Sequence, residues 1–167
     1  MKNSKVILFA GPIGSSKSPI ANYLSWNLGL PIFNRDIIRT EVREDIRVFD
    51  IEEFERRSLE RLKRMLKMRR SFILDASIDR KGEEIVSQLE GYKLFLISIN
   101  LSKDFLKKIY KYKGYLYQDA EFDKNYNEHE KFVKEYASKI DLSITDAIFK
   151  DRLEISLKEV EKWLNGV

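Results

Sequence analysis

The chain has no cysteine, which excludes a disulfide framework and any thiolate chemistry. His129 is the single histidine, so neither a second histidine nor a cysteine exists to complete a zinc site, and metal chemistry beyond Mg²⁺ has no support in the sequence. Prolines number 3 and glycines 7, and neither a repeat nor a low-complexity linker interrupts the sequence. No apolar run approaches the roughly 20 residues of a membrane span. The start Met1-Lys2-Asn3-Ser4-Lys5 leads straight into a strand pattern and is too short for a signal peptide. These absences point to a soluble, cytoplasmic protein without a membrane partner, monomeric or homodimeric. What is present fits one domain over residues 1–167: 43% of residues are hydrophobic, enough for a real core. With 35% charged residues and a net charge of +4, the surface is ionic with a mild basic excess, which suits an anionic ligand.

The most informative segment is Gly11-Pro12-Ile13-Gly14-Ser15-Ser16-Lys17-Ser18, which follows the apolar run Val6-Ile7-Leu8-Phe9-Ala10 and opens a helical pattern. Strand, small-residue loop and a Lys-Ser pair at a helix start make a phosphate cradle. The loop N–H groups point inward, the helix N-terminus favours negative charge, and the lysine reaches the terminal phosphates. The pattern G-x-x-x-x-G-K-[ST] is met at Gly11, Lys17 and Ser18, and Gly14 adds a loop glycine, but Ser16 stands where the pattern has glycine. A serine fits there if its backbone occupies a region open to L-residues, and fits badly if φ must be positive. Pro19 falls in the first helical turn, where its missing N–H costs little.

Strand-length apolar runs recur at 5–10, 31–34, 71–75, 92–99 and 141–145. Helical stripes lie between them: Ile20, Leu24 and Leu28 with Gly29 as a stop; Ile38, Val42 and Ile46; Ile51, Phe54, Leu59, Leu62, Met65 and Leu66; and finally Leu153, Leu157, Val160 and Leu164. Strands alternating with helices predict an α/β fold, a parallel sheet covered on both faces, with its ligand at the carboxyl ends of the strands. Residues 102–138 form a long helical insertion before the last strand, placed where a mobile lid would sit.

A second motif, Phe33-Asn34-Arg35-Asp36-Ile37-Ile38-Arg39, follows the second strand. Asn34 is a good N-cap for a helix starting at Arg35 or Asp36, and Asp36 and Arg39 share a face of that helix. A carboxylate at this strand tip can accept the proton of an attacking hydroxyl, and the arginine can grip an anionic group of the acceptor. The bland alternative is that Asp36 answers the helix dipole while Arg35, Arg39, Arg43 and Arg47 form a solvated row.

On Gly11–Ser18, on Asn34-Arg35-Asp36 with Arg39, and on the strand end Ser71-Phe72-Ile73-Leu74-Asp75-Ala76-Ser77, the chain resembles P-loop kinases of the polynucleotide kinase and zeta-toxin type, often described as AAA-type predicted kinases. The resemblance covers about residues 1–80 by motif and 90–167 by layout only. It implies a five-stranded parallel sheet of order 2-3-1-4-5, ATP–Mg²⁺ as donor, Asp36 as general base for the acceptor hydroxyl and Arg39 as acceptor contact. In that fold Asp75 would hold Mg²⁺ with Ser18, directly or through water; otherwise it is a loop acid after a buried strand. Two departures stand out: Ser16, and a lid with Lys107, Lys108, Lys111 and Lys113 but no arginine before Arg152. Lysine neutralises phosphate as a point charge without the bidentate fork of arginine.

Other signals carry less. The lid stretch from Lys107 to Tyr117 interleaves lysine and tyrosine, which suits a nucleotide lid first, an ordinary amphipathic face second and a single-strand groove third. The basic helix 56–70 reads as a solvated face balanced by Glu52, Glu53 and Glu55. His129 falls on an apolar stripe and reads as a packed, hydrogen-bonded histidine. Thr145-Asp146 after the last strand is a candidate for the base pocket, and Asp79 and Arg80 have no assigned role. The resulting expectation is a kinase that moves the γ-phosphoryl of ATP to a hydroxyl of a small-molecule or nucleotide-like acceptor. Lys17, Asp36 and Arg39 would be catalytic; Gly11, Pro12, Ile13, Gly14, Ser15, Ser16, Lys17, Ser18, Lys107 and Lys111 would hold the nucleotide; Ser18 and Asp75 would place the metal. A nucleotide-binding regulatory ATPase or non-catalytic relative is the alternative, and a polynucleotide-binding protein a further one.

Overall fold

The run Lys5–Ala10 forms β1, and residues Val6 to Ala10 are all buried because this strand lies at the middle of the sheet with helices on both faces. The computed structural model describes residues 4–79, 82–116 and 118–166. Of the residues named above, Met1, Lys2, Asn3, Arg80 and Tyr117 lie outside them. After β1 come α1 (Lys17–Leu28), β2 (Ile32–Asn34), α2 (Arg35–Ile46), α3 (Ile51–Lys67), β3 (Phe72–Ser77), α4 (Gly82–Gln88) and β4 (Lys93–Ile99). Then follow α5 (Lys103–Lys113), α6 (Asp119–Glu135), β5 (Leu142–Ile144) and α7 (Arg152–Asn165). The sheet is parallel, in the order β2-β3-β1-β4-β5 that the resemblance implies.

The two-residue alternation of β1 divides the core. Ile7 and Phe9 pack with Ile20 and Leu24 of α1 and Val160 of α7. Val6 and Leu8 pack with Ile38 and Val42 of α2, Phe54 and Leu62 of α3 and Phe132 of α6. The helical stripes read from the sequence are buried in part only: Ile46, Ile51 and Leu59 are exposed. The insertion is two helices, α5 and α6, and both contribute to the core through Leu106, Tyr110, Phe122 and Phe132. Ion pairs join α2 to α3 (Arg35–Glu55, Arg57–Asp45 and Arg61–Glu41), and Arg56 pairs with Glu53 and Glu60. The basic face of α3 therefore has acids set against several of its arginines. Among the described residues no helix is long and apolar enough to cross a membrane.

One irregularity positions the site. β3 pairs with β1 as Ile7 to Ile73 but then as Phe9 to Ser77, so the extra residues in β3 displace the register. This slip carries Ser77 and the residues after it alongside Gly11, while Asp75 stays level with Asn34 of β2.

Candidate functional site

The turn after β1 is held at its root. The N–H of Gly11 donates to both carboxylate oxygens of Asp79 at 3.1 and 2.9 Å, and the Ser77 hydroxyl lies between the Asp79 carboxylate and the Gly11 carbonyl, sharing its one proton between these two acceptors. A Cβ at Gly11 would lie 2.7 Å from Ser15 Oγ and 3.0 Å from Ile99 Cβ, so only glycine fits. Gly14 has φ +72°, and a Cβ there would meet the rings of Tyr110 and Tyr115 at 2.9 Å. The loop closes into α1 through Ser16, which sits in the left-handed region at φ 84°, ψ 27° without a side-chain cap bond. The position does require a positive φ, the condition under which serine fits badly.

The Lys17 ammonium curls over the loop, donating to the carbonyls of Gly11 (2.7 Å) and Pro12 (2.6 Å). Below it, Ser18 Oγ donates to Asp75 Oδ1 at 3.1 Å and Asn34 Nδ2 donates to Asp75 Oδ2 at 2.6 Å. Burial pushes the Asp75 pKa up against the opposing pull of the Ser18 bond, the Lys17 charge and Asn34. Asn34 has a second task, since its side-chain oxygen caps α2 by accepting from the N–H groups of Asp36 and Ile37. The cap holds Asp36 at the strand tip, where it lines the same cavity of about 650 Å³ as Lys17, Ser18, Arg39 and Asp75. The Asp36 carboxylate makes no hydrogen bond or ion pair with the described residues.

Arginines and phenyl rings alternate along the outer wall. Arg35 lies 4.6 Å from the Phe54 ring centroid, Arg39 lies 5.5 Å from both Phe54 and Phe49, and Arg43 lies 5.6 Å from Phe49. Arg35 is also paired with Glu55, whereas Arg39 has no carboxylate partner among the described residues. From the insertion, the Tyr110 hydroxyl donates to the Ile13 carbonyl and Lys113 Nζ donates to the Gly14 carbonyl at 2.8 Å. Burial, with Arg152 nearby, pulls the Lys113 pKa down.

The residues expected from the sequence divide by position. Ile13 and Gly14 to Ser18, with Asp36, Arg39 and Asp75, line one cavity, and Gly11 and Pro12 form the loop's stem. Lys107 instead lies 5.5 Å from the Phe122 ring, and Lys111 is exposed on α5, outside that cavity. Asp146 accepts from Ser102 N–H (2.9 Å) and Ser102 Oγ (2.5 Å), which ties it to the start of α5. A smaller recess of about 300 Å³ beside Ser16 is lined by Phe105, Lys108, Tyr112, Phe149 and Arg152. Its Arg152 guanidinium stacks 4.2 Å from the Phe149 ring. Asp79 is the residue that sequence reasoning missed; its only signal was an acid just past a buried strand. Its carboxylate also accepts a hydrogen bond from Nδ1 of His129 at 2.7 Å. Burial pushes its pKa up, but the bonds from His129, Ser77 and Gly11 prevail and hold it at about 2.

Comparison with known proteins adds the fold. No protein-family model and no curated protein matches the chain. Solved structures do. A gluconokinase from Sinorhizobium meliloti superposes with a TM-score of 0.67 at 12% identity, covering 98% of this chain and 95% of that one. Shikimate kinase from Aquifex aeolicus gives a TM-score of 0.60 at 17% identity over 96% of each chain. An APS kinase from Mycobacterium tuberculosis, solved with AMPPNP and APS, gives 0.54 at 16% identity over 95% of this chain and 98% of that one. The chain has the α/β P-loop NTPase fold, and these three structural neighbours are kinases.

Proposed function

We propose that this protein is a P-loop kinase that binds ATP–Mg²⁺ and transfers the γ-phosphoryl to a hydroxyl of a small-molecule or nucleotide-like acceptor. The observation that carries the reading is the shared cavity: the loop and Lys17 form one wall, Asp36 and Arg39 the other, and Ser18 and Asp75 the floor. The oxygen set at the floor suits Mg²⁺. Ser18 Oγ and Asp75 Oδ1 lie 3.1 Å apart, and the buried carboxylate is costly to ionise without a cation to answer it. Ser18 and Asp75 would hold the ion there, and it would supply charge neutralisation for the transferring phosphates.

The chain's own groups do the rest. Lys17 exchanges the carbonyls of Gly11 and Pro12 for phosphate oxygens, and the loop amides and the α1 N-terminus hold the remaining anionic charge. Asp36, whose carboxylate makes no hydrogen bond or ion pair among the described residues, receives the acceptor's hydroxyl proton, and Arg39 orients an anionic group on that acceptor. Phe105, Phe149 and Arg152 offer the base a stacking recess next to Ser16. Lys113 and Tyr115 line the cavity from the lid side, whereas Lys107 and Lys111 lie outside it and add only distant positive charge. Catalysis in such a site is positioning and charge stabilisation.

Calorimetry with ATP in Mg²⁺ buffer and a labelled-phosphate transfer screen over sugars, small hydroxy acids and nucleosides test the reading. Lys17→Ala should weaken ATP binding at least tenfold, an order-of-magnitude loss for a phosphate-contacting charge. Asp36→Asn should leave ATP affinity intact and lower acceptor phosphorylation by about 10²-fold or more. A protein that binds no nucleotide, or whose transfer survives Asp36→Asn, is not this kinase.

A further inference from the structure

The nucleotide loop is fastened to a helix that the phosphate-binding motif does not include. His129 of α6 and Asp79 form a pair with side chains only 1% and 4% exposed, joined Nδ1 to Oδ2 at 2.7 Å. The ionised carboxylate accepts, so Nδ1 carries the proton. The other ring nitrogen, Nε2, is buried with no hydrogen-bond partner among the described residues, so the ring is desolvated for the sake of a single bond. That bond ends at the loop, because Asp79 commits its remaining capacity to the N–H of Gly11 and the hydroxyl of Ser77. The same helix backs the loop at its tip: Phe122 of α6 meets Tyr110 edge-on at 5.3 Å, and Tyr110 reaches the Ile13 carbonyl.

We infer that His129 is a positioning residue for nucleotide binding, acting through Asp79 to fix the Gly11 peptide and so the orientation of the phosphate loop. The inference rests on the proposed nucleotide site but adds a residue distant from the loop in the chain, on a helix that contributes no residue to the lining of the cavity. Its physical content is pre-organisation. The Gly11 N–H is held inward by Asp79, so the loop enters its turn in one direction before any phosphate arrives. Without the imidazole, Asp79 keeps its charge in a buried place with one donor fewer, and the cheapest relief is to swing toward solvent and release Gly11.

Three variants separate this from a purely structural role. His129→Asn keeps a donor near the Nδ1 position, His129→Gln moves the donor to the Nε2 end of the ring, and His129→Leu removes it. Each is compared with the unmodified protein by calorimetric ATP–Mg²⁺ affinity and, without nucleotide, by hydrogen exchange of the amides in residues 11–16, well below its own melting temperature. The expected result is that His129→Asn matches the parent in both. His129→Gln and His129→Leu should bind about tenfold more weakly, the scale of one lost hydrogen bond to a charged group, and exchange the loop amides faster. Lowered melting temperatures with unchanged affinity and unchanged loop exchange would overturn the inference, as would an Asn variant as impaired as the Leu variant. Should the parent protein bind no nucleotide, the proposed function fails by itself. Loop exchange then decides on its own: faster exchange in the Gln and Leu variants upholds the coupling, and equal exchange refutes it.

Discussion

Ser16 occupies the left-handed region at φ 84° and ψ 27°, is 6% exposed, and makes no side-chain cap bond among the described residues in return for the conformation. That conformation costs an L-residue about 1 kcal/mol that glycine avoids. Ser16→Gly should therefore raise the melting temperature by about 3 °C and tighten ATP binding, as read by differential scanning calorimetry with and without nucleotide; an unchanged melting temperature would show that the loop relaxes around serine. The anomaly was legible as a letter out of place, but its backbone angle was not. His129 and Asp79 show the opposite limit. A packed histidine on an apolar stripe was legible in the sequence, yet nothing local to positions 79 or 129 names the other, because their meeting is made by a register slip in β3 and the docking of α6.

At the scale of elements, Asn34 serves two structures with one side chain, capping α2 with its oxygen and bonding Asp75 with its nitrogen. Asn34→Ser keeps a capping oxygen and drops the Asp75 bond, whereas Asn34→Ala drops both. Urea unfolding should find the Ala variant less stable than the parent by about 2–3 kcal/mol and the Ser variant between them, from about 1 kcal/mol for a cap and somewhat more for a bond to a carboxylate. Equal losses would mean that the cap contributes nothing. The strands at 5–10 and 92–99 and the cap at Asn34 were readable because apolar run length and capping chemistry are local properties. The partition of the lid was not. Its lysines look alike in sequence, but helix phase and the turn at Gly114 bring Lys113 to the Gly14 carbonyl and leave Lys111 outside the cavity.

For the molecule as a whole, two buried carboxylates give stability opposite pH dependences. Asp79 is held at about 2 in the fold against 3.8 ordinarily, so its contribution is complete above about pH 4 and is lost as pH falls toward 2. The size is about 2 kcal/mol, from roughly 1.4 kcal/mol per pKa unit. Asp75 is raised, so its burial favours the protonated form and costs stability as pH rises through its titration range. Unfolding free energies measured from pH 2 to 7 should show Asp79→Asn with a flattened acid limb. Asp75→Asn should be more stable than the parent at neutral pH in the absence of divalent cations, a cost that a functional site tolerates; a loss of stability in that variant would contradict this. The sheet also has a consequence at its margins. Its outermost strands, β2 and β5, run for only three residues each, too short a ladder to recruit a foreign strand. Any pairing of two copies must then proceed through side chains on the helical layers, and the parallel core is shielded from templated aggregation.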